Sequence, residues 1–133
     1  MASSRNELPI IVDTNFIISS LKFGISLDGI GDLVHRRHRV LIPDNVRREL
    51  ENLVLSGKDE AIRRTAIRLS HNYGSIALEG MVDNSIIEYS KENKAVVATN
   101  DRELRKKLRD NGVTVIYIRN RRYYAIDGNI QNM

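Results

Sequence analysis

Two aspartates of this sequence follow short apolar segments, a place where a carboxylate is better suited to chemistry than to packing. Asp13 directly follows the apolar segment 10–12, and Asp101 follows the apolar segment 95–98 after two polar residues. Unbroken apolar runs of this length are typical of buried strands in a parallel sheet. Because open parallel sheets bind their ligands just beyond the carboxyl ends of the strands, we expect both aspartates at one site.

Two further acids lie on the core-facing sides of predicted helices. Glu49 has helical spacing to Val46 and Leu53. Asp83 lies three residues before Ile86, in the first turn of its predicted helix. We expect both acids to join the strand-end aspartates at one edge of the sheet, although each acid alone could simply cap a helix or offset a helix dipole.

The four carboxylates together indicate a metal site. At close range they would repel one another, and their pKa values would rise unless a cation held them. Mg²⁺ and Mn²⁺ prefer oxygen ligands, and at such a site they can activate water and stabilise the leaving oxygen of a phosphodiester. The sequence has no cysteine, which excludes a thiolate zinc site and a thiol nucleophile. The pattern predicts the cation without fixing the reaction.

Composition sets the class of protein. The chain has 133 residues, 41% of them hydrophobic, which suits one globular domain. A net charge of +4 and a pI of about 9.6 agree with a polyanionic partner such as nucleic acid but do not establish one. No apolar run approaches the roughly 18 residues of a membrane span, and no secretory signal is evident. We therefore expect a cytoplasmic protein with no membrane partner.

The elements that must position the acids are strands separated by segments of helical spacing. This alternation predicts an α/β fold, a three-layer α/β/α sandwich around a mainly parallel central sheet. We expect this domain to span residues 8–126, with a disordered N-terminus at 1–7 and a C-terminal tail at 127–133. The helix that carries the predicted acid at position 49 is expected to end at Gly57 and to place Val54 on its apolar stripe.

In the order and setting of its acids, the chain resembles the PIN-domain nuclease superfamily. The motifs that carry the likeness are IVDTN at 11–15, PDNVRREL at 43–50, VDNSI at 82–86 and VATNDREL at 97–104. The resemblance implies an endoribonuclease that cuts RNA with Mg²⁺ or Mn²⁺. The resemblance also implies that four residues are the catalytic metal ligands, namely Asp13, Glu49, Asp83 and Asp101. It also implies that polar side chains orient these acids or their waters, namely Asn15, Asn84 and Thr99.

One position departs from the pattern of the superfamily. Many members carry a second acid beside the helix aspartate, whereas this chain has Asn84 after Asp83. An asparagine can hold a water or coordinate weakly, but it lacks the charge. This departure leaves open an alternative function, a catalytically weak PIN-like module that binds RNA during ribosome assembly.

The C-terminal segment 113–123 is similar to that of PIN proteins that process small-subunit ribosomal RNA. That similarity implies pre-ribosomal RNA as the substrate and ribosome-assembly factors as partners. Toxin ribonucleases of toxin–antitoxin pairs share the four acids and a similar length, so a toxin with an antitoxin partner is the close alternative. Since PIN domains often dimerise, the resemblance also implies a homodimer.

The same segment ends in a basic turn with aromatic neighbours. Arg119, Arg121 and Arg122 can contact phosphates, while Tyr123 and Tyr124 could stack on unpaired bases. The alternative is that the arginines are merely solvated. We therefore expect RNA binding here to weaken with salt if the arginines contact phosphates.

Overall fold

The computed structural model describes residues 7–130, which form six strands and six helices. The strands are β1 (Leu8–Val12), β2 (His38–Pro43), β3 (Gly74–Ile76), β4 (Val96–Ala98), β5 (Val115–Arg119) and β6 (Tyr123–Asp127). The helices are α1 (Thr14–Lys22), α2 (Gly29–Val34), α3 (Asp44–Asn52), α4 (Lys58–Ser70), α5 (Val82–Asn93) and α6 (Arg102–Asp110). Of the predicted disordered N-terminus, residues 1–6 lie outside the described residues.

All six strands form one sheet in the order β3-β2-β1-β4-β5-β6. The first five strands in this order are mutually parallel, and β6 pairs antiparallel with β5. Helices flank the sheet, so the predicted α/β fold with a mainly parallel sheet is confirmed. The chain builds outward from β1 in one direction and from β4 in the other, which makes the β1–β4 boundary the point where ligands of such sheets bind.

The two central strands explain the unbroken apolar runs of the sequence. Residues 10–12 of β1 and 96–98 of β4 pair in parallel, and their exposed fraction is 0%. Strands covered on both faces need apolar side chains at every position rather than at alternate ones. Asp13 directly follows β1 and therefore lies at the carboxyl edge of the sheet, where the fully apolar layer ends.

An aromatic contact fastens the last strand to the first helix. The rings of Tyr124 in β6 and Phe16 in α1 stack with centroids 5.0 Å apart. The hydroxyl of Tyr124 donates a hydrogen bond of 2.9 Å to Ser20 Oγ. Because Tyr124 is buried, the prediction that it could stack on RNA bases is wrong.

Helix α3 ends earlier than its hydrophobic spacing predicts. It stops at Asn52, and Leu53 continues in extended backbone with ψ of 135°. Arg63 of α4 donates to the carbonyl oxygens of Leu50 and Glu51, each at 3.2 Å. Those carbonyls lie in the last turn, where a helix leaves its acceptors unpaired. The prediction that Val54 belongs to the buried stripe is wrong, since its exposed fraction is 94%.

The domain continues past the predicted boundary at residue 126. Strand β6 extends to Asp127, whose carboxylate pairs with Arg105 at 2.8 Å and Arg109 at 3.3 Å. Ile130 is buried against the core. The predicted C-terminal tail is thus packed through residue 130, and residues 131–133 lie outside the described part. Within residues 7–130 no helix is long and apolar enough to cross a bilayer.

Replacing Tyr124 with Phe should lower the free energy of unfolding by about 1–2 kcal/mol, because Ser20 Oγ loses its buried partner. Urea denaturation would measure the change. The neighbouring Tyr123→Phe is the matched control, and its effect should be close to zero because Tyr123 is exposed. Equal effects of the two variants would contradict the role given to the buried hydroxyl.

Candidate functional site

A cavity of about 350 Å³ at the carboxyl edge of β1 and β4 contains all four of the predicted carboxylates. Its polar lining also includes Thr14, Asn15 and Lys22, and its apolar wall consists of Ile18, Leu53, Leu55 and Val82. The acids come from four separate segments of the chain. The structure brings them together at the point where the strand order reverses, although Glu49 is itself exposed to solvent.

The two strand-end aspartates each cap a helix and face the cavity at the same time. Asp13 Oδ1 accepts a hydrogen bond of 3.0 Å from the backbone N–H of Phe16, which caps α1. Asp101 Oδ1 accepts from the backbone N–H groups of Glu103 at 2.9 Å and Leu104 at 3.3 Å, which caps α6. Each cap uses Oδ1, so Oδ2 of Asp101 can act as a ligand, and Oδ2 of Asp13 keeps one lone pair beside the bond that it accepts from Thr99.

Thr99 joins these aspartates through its hydroxyl. Thr99 Oγ1 donates a short hydrogen bond to Asp13 Oδ2 and accepts one of 3.1 Å from the backbone N–H of Asp101. Thr99 is fully buried, so this bridge is shielded from water. The carboxyl ends of β1 and β4 are therefore held in a fixed relation by one side chain.

The carboxyl group of Asp13 is the most perturbed of the cavity. Burial raises its pKa from 3.8 to about 7, against the opposing effect of the hydrogen bonds from Thr99 and Phe16. The nearby charges of Asp83 and Asp101 add to the rise. Without a bound cation, the Asp13 carboxyl therefore keeps its proton to a higher pH than an exposed aspartate does.

Asp83 lies within electrostatic range of the other acids of the cavity. Partial burial raises its pKa, and so does the charge of Asp101, whereas Lys107 lowers it. Glu49 also raises this pKa, which places its carboxylate within electrostatic range of Asp83. The helices that carry these two acids are tied together, since Asn45 Nδ2 of α3 donates to Ser85 Oγ of α5 at 2.8 Å.

Asn100 is a positioning residue that the sequence analysis missed. Its backbone N–H donates to Asn15 Oδ1 at 3.0 Å, and its own Oδ1 accepts from the backbone N–H of Ile118 at 2.9 Å. These bonds tie the loop before Asp101 to α1 on one side and to β5 on the other. The only signal in the sequence was its place in the polar triplet 99–101.

Asn84 lies apart from the acidic cavity. It lines a separate cavity of about 580 Å³ beside α5, together with Met81, Ser85 and Tyr89. Neighbouring residues on a helix point about 100° apart, so the side chains of Asp83 and Asn84 cannot share one face. Asn84 thus lines a different cavity from the four acids, and its supporting role for the metal ligands stays a prediction.

The donor set of the acidic cavity fits a hard divalent cation. Carboxylate and hydroxyl oxygens are the ligands that Mg²⁺ and Mn²⁺ prefer. Thr14 Oγ1 is buried at the cavity wall without a hydrogen-bond partner, which leaves a further oxygen for an ion or its water. Within residues 7–130, no three Asp, Glu, His or Cys side chains lie close enough together to hold a metal ion without moving. A cation would therefore have to draw the carboxylates inward.

The predicted RNA-contact residues lie at the turn between β5 and β6, which we call the basic hairpin (residues 119–123). Arg119, Arg121, Arg122 and Tyr123 are all exposed there. Asn100 bonds to Ile118 at the base of this hairpin, so the hairpin and the acids share one edge of the sheet. Lys22 at the end of α1 also reaches the cavity and adds a cation that the sequence analysis did not single out.

Comparison with known proteins gives one consistent picture. The family described as PIN like domain matches residues 10–121. Ribonuclease VapC4 of Methanocaldococcus jannaschii is 33% identical over 126 residues, which cover 90% of this chain and 96% of the relative. Ribonuclease VapC9 of Archaeoglobus fulgidus is 35% identical over 83 residues, 61% of this chain and 62% of the relative. The solved structure of the PIN domain endonuclease Utp24 matches with a TM-score of 0.78 and 25% identity, covering 91% of this chain and 92% of that one.

The raised pKa of Asp13 predicts how stability depends on pH. Folded Asp13 titrates near 7 and unfolded Asp13 near 3.8, so the metal-free protein loses stability as pH rises from about 4 to about 7. Asp13→Asn keeps an acceptor for the Phe16 N–H and removes this loss. Urea denaturation in EDTA would measure the free energies of unfolding of Asp13→Asn and the parent. The difference in favour of Asp13→Asn should be larger at about pH 8 than at about pH 5, by on the order of 2–3 kcal/mol. The exposed Asp110→Asn is the control, and a pH-independent advantage of Asp13→Asn would contradict the assignment.

The bonds of Asn100 predict an effect on metal affinity. In Asn100→Ala the loop before Asp101 loses its tie to the backbone of Ile118, so Mn²⁺ affinity measured by titration calorimetry should fall roughly tenfold or more. Asn93→Ala is the matched control, because Asn93 makes one local bond to its own helix. If both variants bind Mn²⁺ as the parent does, Asn100 has no positioning role.

Proposed function

The chain belongs to the PIN-like domain family and is a nuclease, and we propose that it is a metal-dependent endoribonuclease that hydrolyses RNA phosphodiester bonds. The observation that carries the proposal is the convergence of four carboxylates on one cavity at the strand-order reversal. Its proposed metal ligands and catalytic residues are Asp13, Glu49, Asp83 and Asp101. Two relatives named as ribonucleases support RNA as the substrate.

Nucleases of this family generally depend on a divalent metal, and we propose Mg²⁺ or Mn²⁺ here. When bound, such an ion supplies positive charge for the phosphodiester oxygens and lowers the pKa of a water. Asp13 must give up the proton that burial lets it keep near neutral pH, so binding of the ion releases a proton. We therefore expect metal affinity to fall as the pH drops below about 7.

The chain's own residues hold the site in shape around that ion. Thr99 fixes the Asp13 carboxylate by donating to Oδ2, and its acceptor bond from the Asp101 N–H sets the start of α6. Asn15 acts through Asn100, because Asn15 Oδ1 accepts a hydrogen bond from the Asn100 backbone N–H. These contacts support the predicted roles of Asn15 and Thr99 as positioning residues.

Substrate binding is proposed to extend from the cavity to the basic hairpin. Arg119, Arg121 and Arg122 would contact phosphates, and Tyr123 would offer an exposed ring for a base. Contacts with phosphate make the affinity for RNA fall as the salt concentration rises. The slope of log affinity against log salt concentration is roughly −0.7 for each phosphate contacted on a single strand.

We place the enzyme in ribosomal RNA processing, with pre-ribosomal RNA as substrate, ribosome-assembly factors as partners and the cytoplasm as location. The supporting observation is the C-terminal segment 113–123, while the match to the PIN domain endonuclease Utp24 supports endonucleolytic cleavage. The expected homodimer stays a prediction.

A toxin ribonuclease with an antitoxin partner is the second candidate, favoured by the 33% identity to Ribonuclease VapC4 over nearly the full length of both chains. The third reading, a catalytically weak RNA-binding module, rested on Asn84. Because Asn84 lines a different cavity, its missing charge removes no donor from the acidic site. The position of Asn84 supports an active enzyme over this third reading.

Cleavage of a panel of structured and single-stranded RNAs tests the proposal. With Mn²⁺ or Mg²⁺ the parent should cut, and EDTA should abolish cutting. Asp13→Asn and Asp101→Asn should each lower the rate by more than about 100-fold, because a lost ligand costs at least as much as a lost supporting contact. Asp110→Asn, an equal charge change outside the cavity, should cut as the parent does. Cutting that persists in Asp13→Asn, or that needs no metal, would overturn the assignment.

A further inference from the structure

The tip of the basic hairpin has an arginine where the backbone favours glycine. Asn120 and Arg121 have φ values of 54° and 57°, and the Arg122 N–H donates to the Arg119 carbonyl oxygen at 3.1 Å. This is the pattern of a type I′ turn, whose first position suits asparagine and whose second position suits glycine. A side chain retained in a disfavoured conformation points to a function for that side chain.

An exposed aromatic ring lies next to that arginine. Phe23 follows α1 and is 37% exposed, although it is a large apolar residue. The guanidinium carbon of Arg121 lies 5.9 Å from the centroid of its ring. On the other side of the turn Tyr123 is 47% exposed, and its hydroxyl accepts from Asn120 Nδ2 at 3.4 Å. The hairpin tip and the end of α1 together therefore present an arginine and two exposed aromatic rings.

The positive charge of the hairpin is not neutralised by the protein. Within residues 7–130, Arg119, Arg121 and Arg122 form no ion pair with a carboxylate. Uncompensated cations alternating with exposed rings are the chemistry that recognises phosphates and unpaired bases together. A protein partner with acidic groups would use the charge but would leave the rings without a purpose.

The hairpin is close enough to the acids to hold the same strand of RNA. The base of the hairpin is fixed by the hydrogen bond from the Ile118 N–H to Asn100 Oδ1. Asn100 directly precedes Asp101, and Ile118 directly precedes Arg119. At about 3.3 Å per residue, the three residues from Ile118 to Arg121 span at most about 10 Å.

We propose that Phe23, Arg121 and Tyr123 form a stacking site that holds one unpaired nucleotide of the RNA beside the acidic cavity. Phe23 provides the surface for the base, Tyr123 provides a second ring, and Arg121 holds the adjoining phosphate. A base within a duplex has both faces covered and cannot stack on Phe23. The inference rests on the proposed function, since the site would hold the RNA that the acidic cavity cuts.

Binding measurements in the uncleaving Asp13→Asn protein test this site. Fluorescence anisotropy would compare a labelled single-stranded RNA with the same sequence in a duplex, at several salt concentrations. Phe23→Leu should weaken single-strand binding roughly tenfold with an unchanged salt slope, and Phe23→Tyr should restore it. Arg121→Gly should weaken binding, reduce the slope by about 0.7 and raise the melting temperature, because glycine relieves the turn. Duplex affinity should stay within about twofold throughout.

The control is Arg64→Gln, which removes one positive charge from the exposed face of α4. It should leave single-strand binding unchanged. Parental binding by Phe23→Leu, equal losses for single strand and duplex, or a lower melting temperature of Arg121→Gly would each overturn the stacking site. These outcomes do not depend on cleavage. If the enzyme cuts normally and Phe23→Leu binds RNA normally, the stacking site alone is refuted. If the protein never cuts RNA, the proposed function alone is refuted.

Discussion

The buried carboxylate of Asp13 is the constraint on which the rest of this structure depends. It follows a strand that is apolar on both faces, and only 4% of the residue is exposed. Two hydrogen bonds, from Thr99 and from the Phe16 N–H, offset part of the cost of burying it. Burial, with the charges of Asp83 and Asp101 added to it, still raises the pKa of Asp13 to about 7. Under the proposed function, a bound cation would favour the ionised form of this group.

The partners of Asp13 spread this constraint across the sheet edge. The Thr99 bridge ties the ends of β1 and β4, and Asn100 extends the tie to α1 and β5. The pairing of Asn45 with Ser85 holds the two helices that supply the remaining acids. The four acids, their supporting bonds and the basic hairpin are therefore parts of one connected edge, which is where parallel sheets accept ligands.

The sequence predicted the features that depend on regular spacing. Unbroken apolar runs revealed β1 and β4, and acids at strand ends and on helix faces revealed the cavity. Features set by tertiary contacts were hidden. The α3 helix ends where Arg63 takes over its carbonyl groups, so the spacing of Val54 was misleading. Tyr124 turned inward because Phe16 and Ser20 lie under β6, which no local pattern encodes. Asn84 lines a separate cavity, which its place beside Asp83 in the sequence did not reveal.

Anomalous diffraction from a crystal grown with Mn²⁺ would test the central claim most directly. The account predicts a peak in contact with the carboxylates of Asp13 and Asp101, with Asp83 drawn toward it, and with the Thr99 bridge retained. A crystal that shows no peak at these carboxylates under saturating Mn²⁺, or one that binds the ion elsewhere, would contradict the claim that the four acids form the metal site.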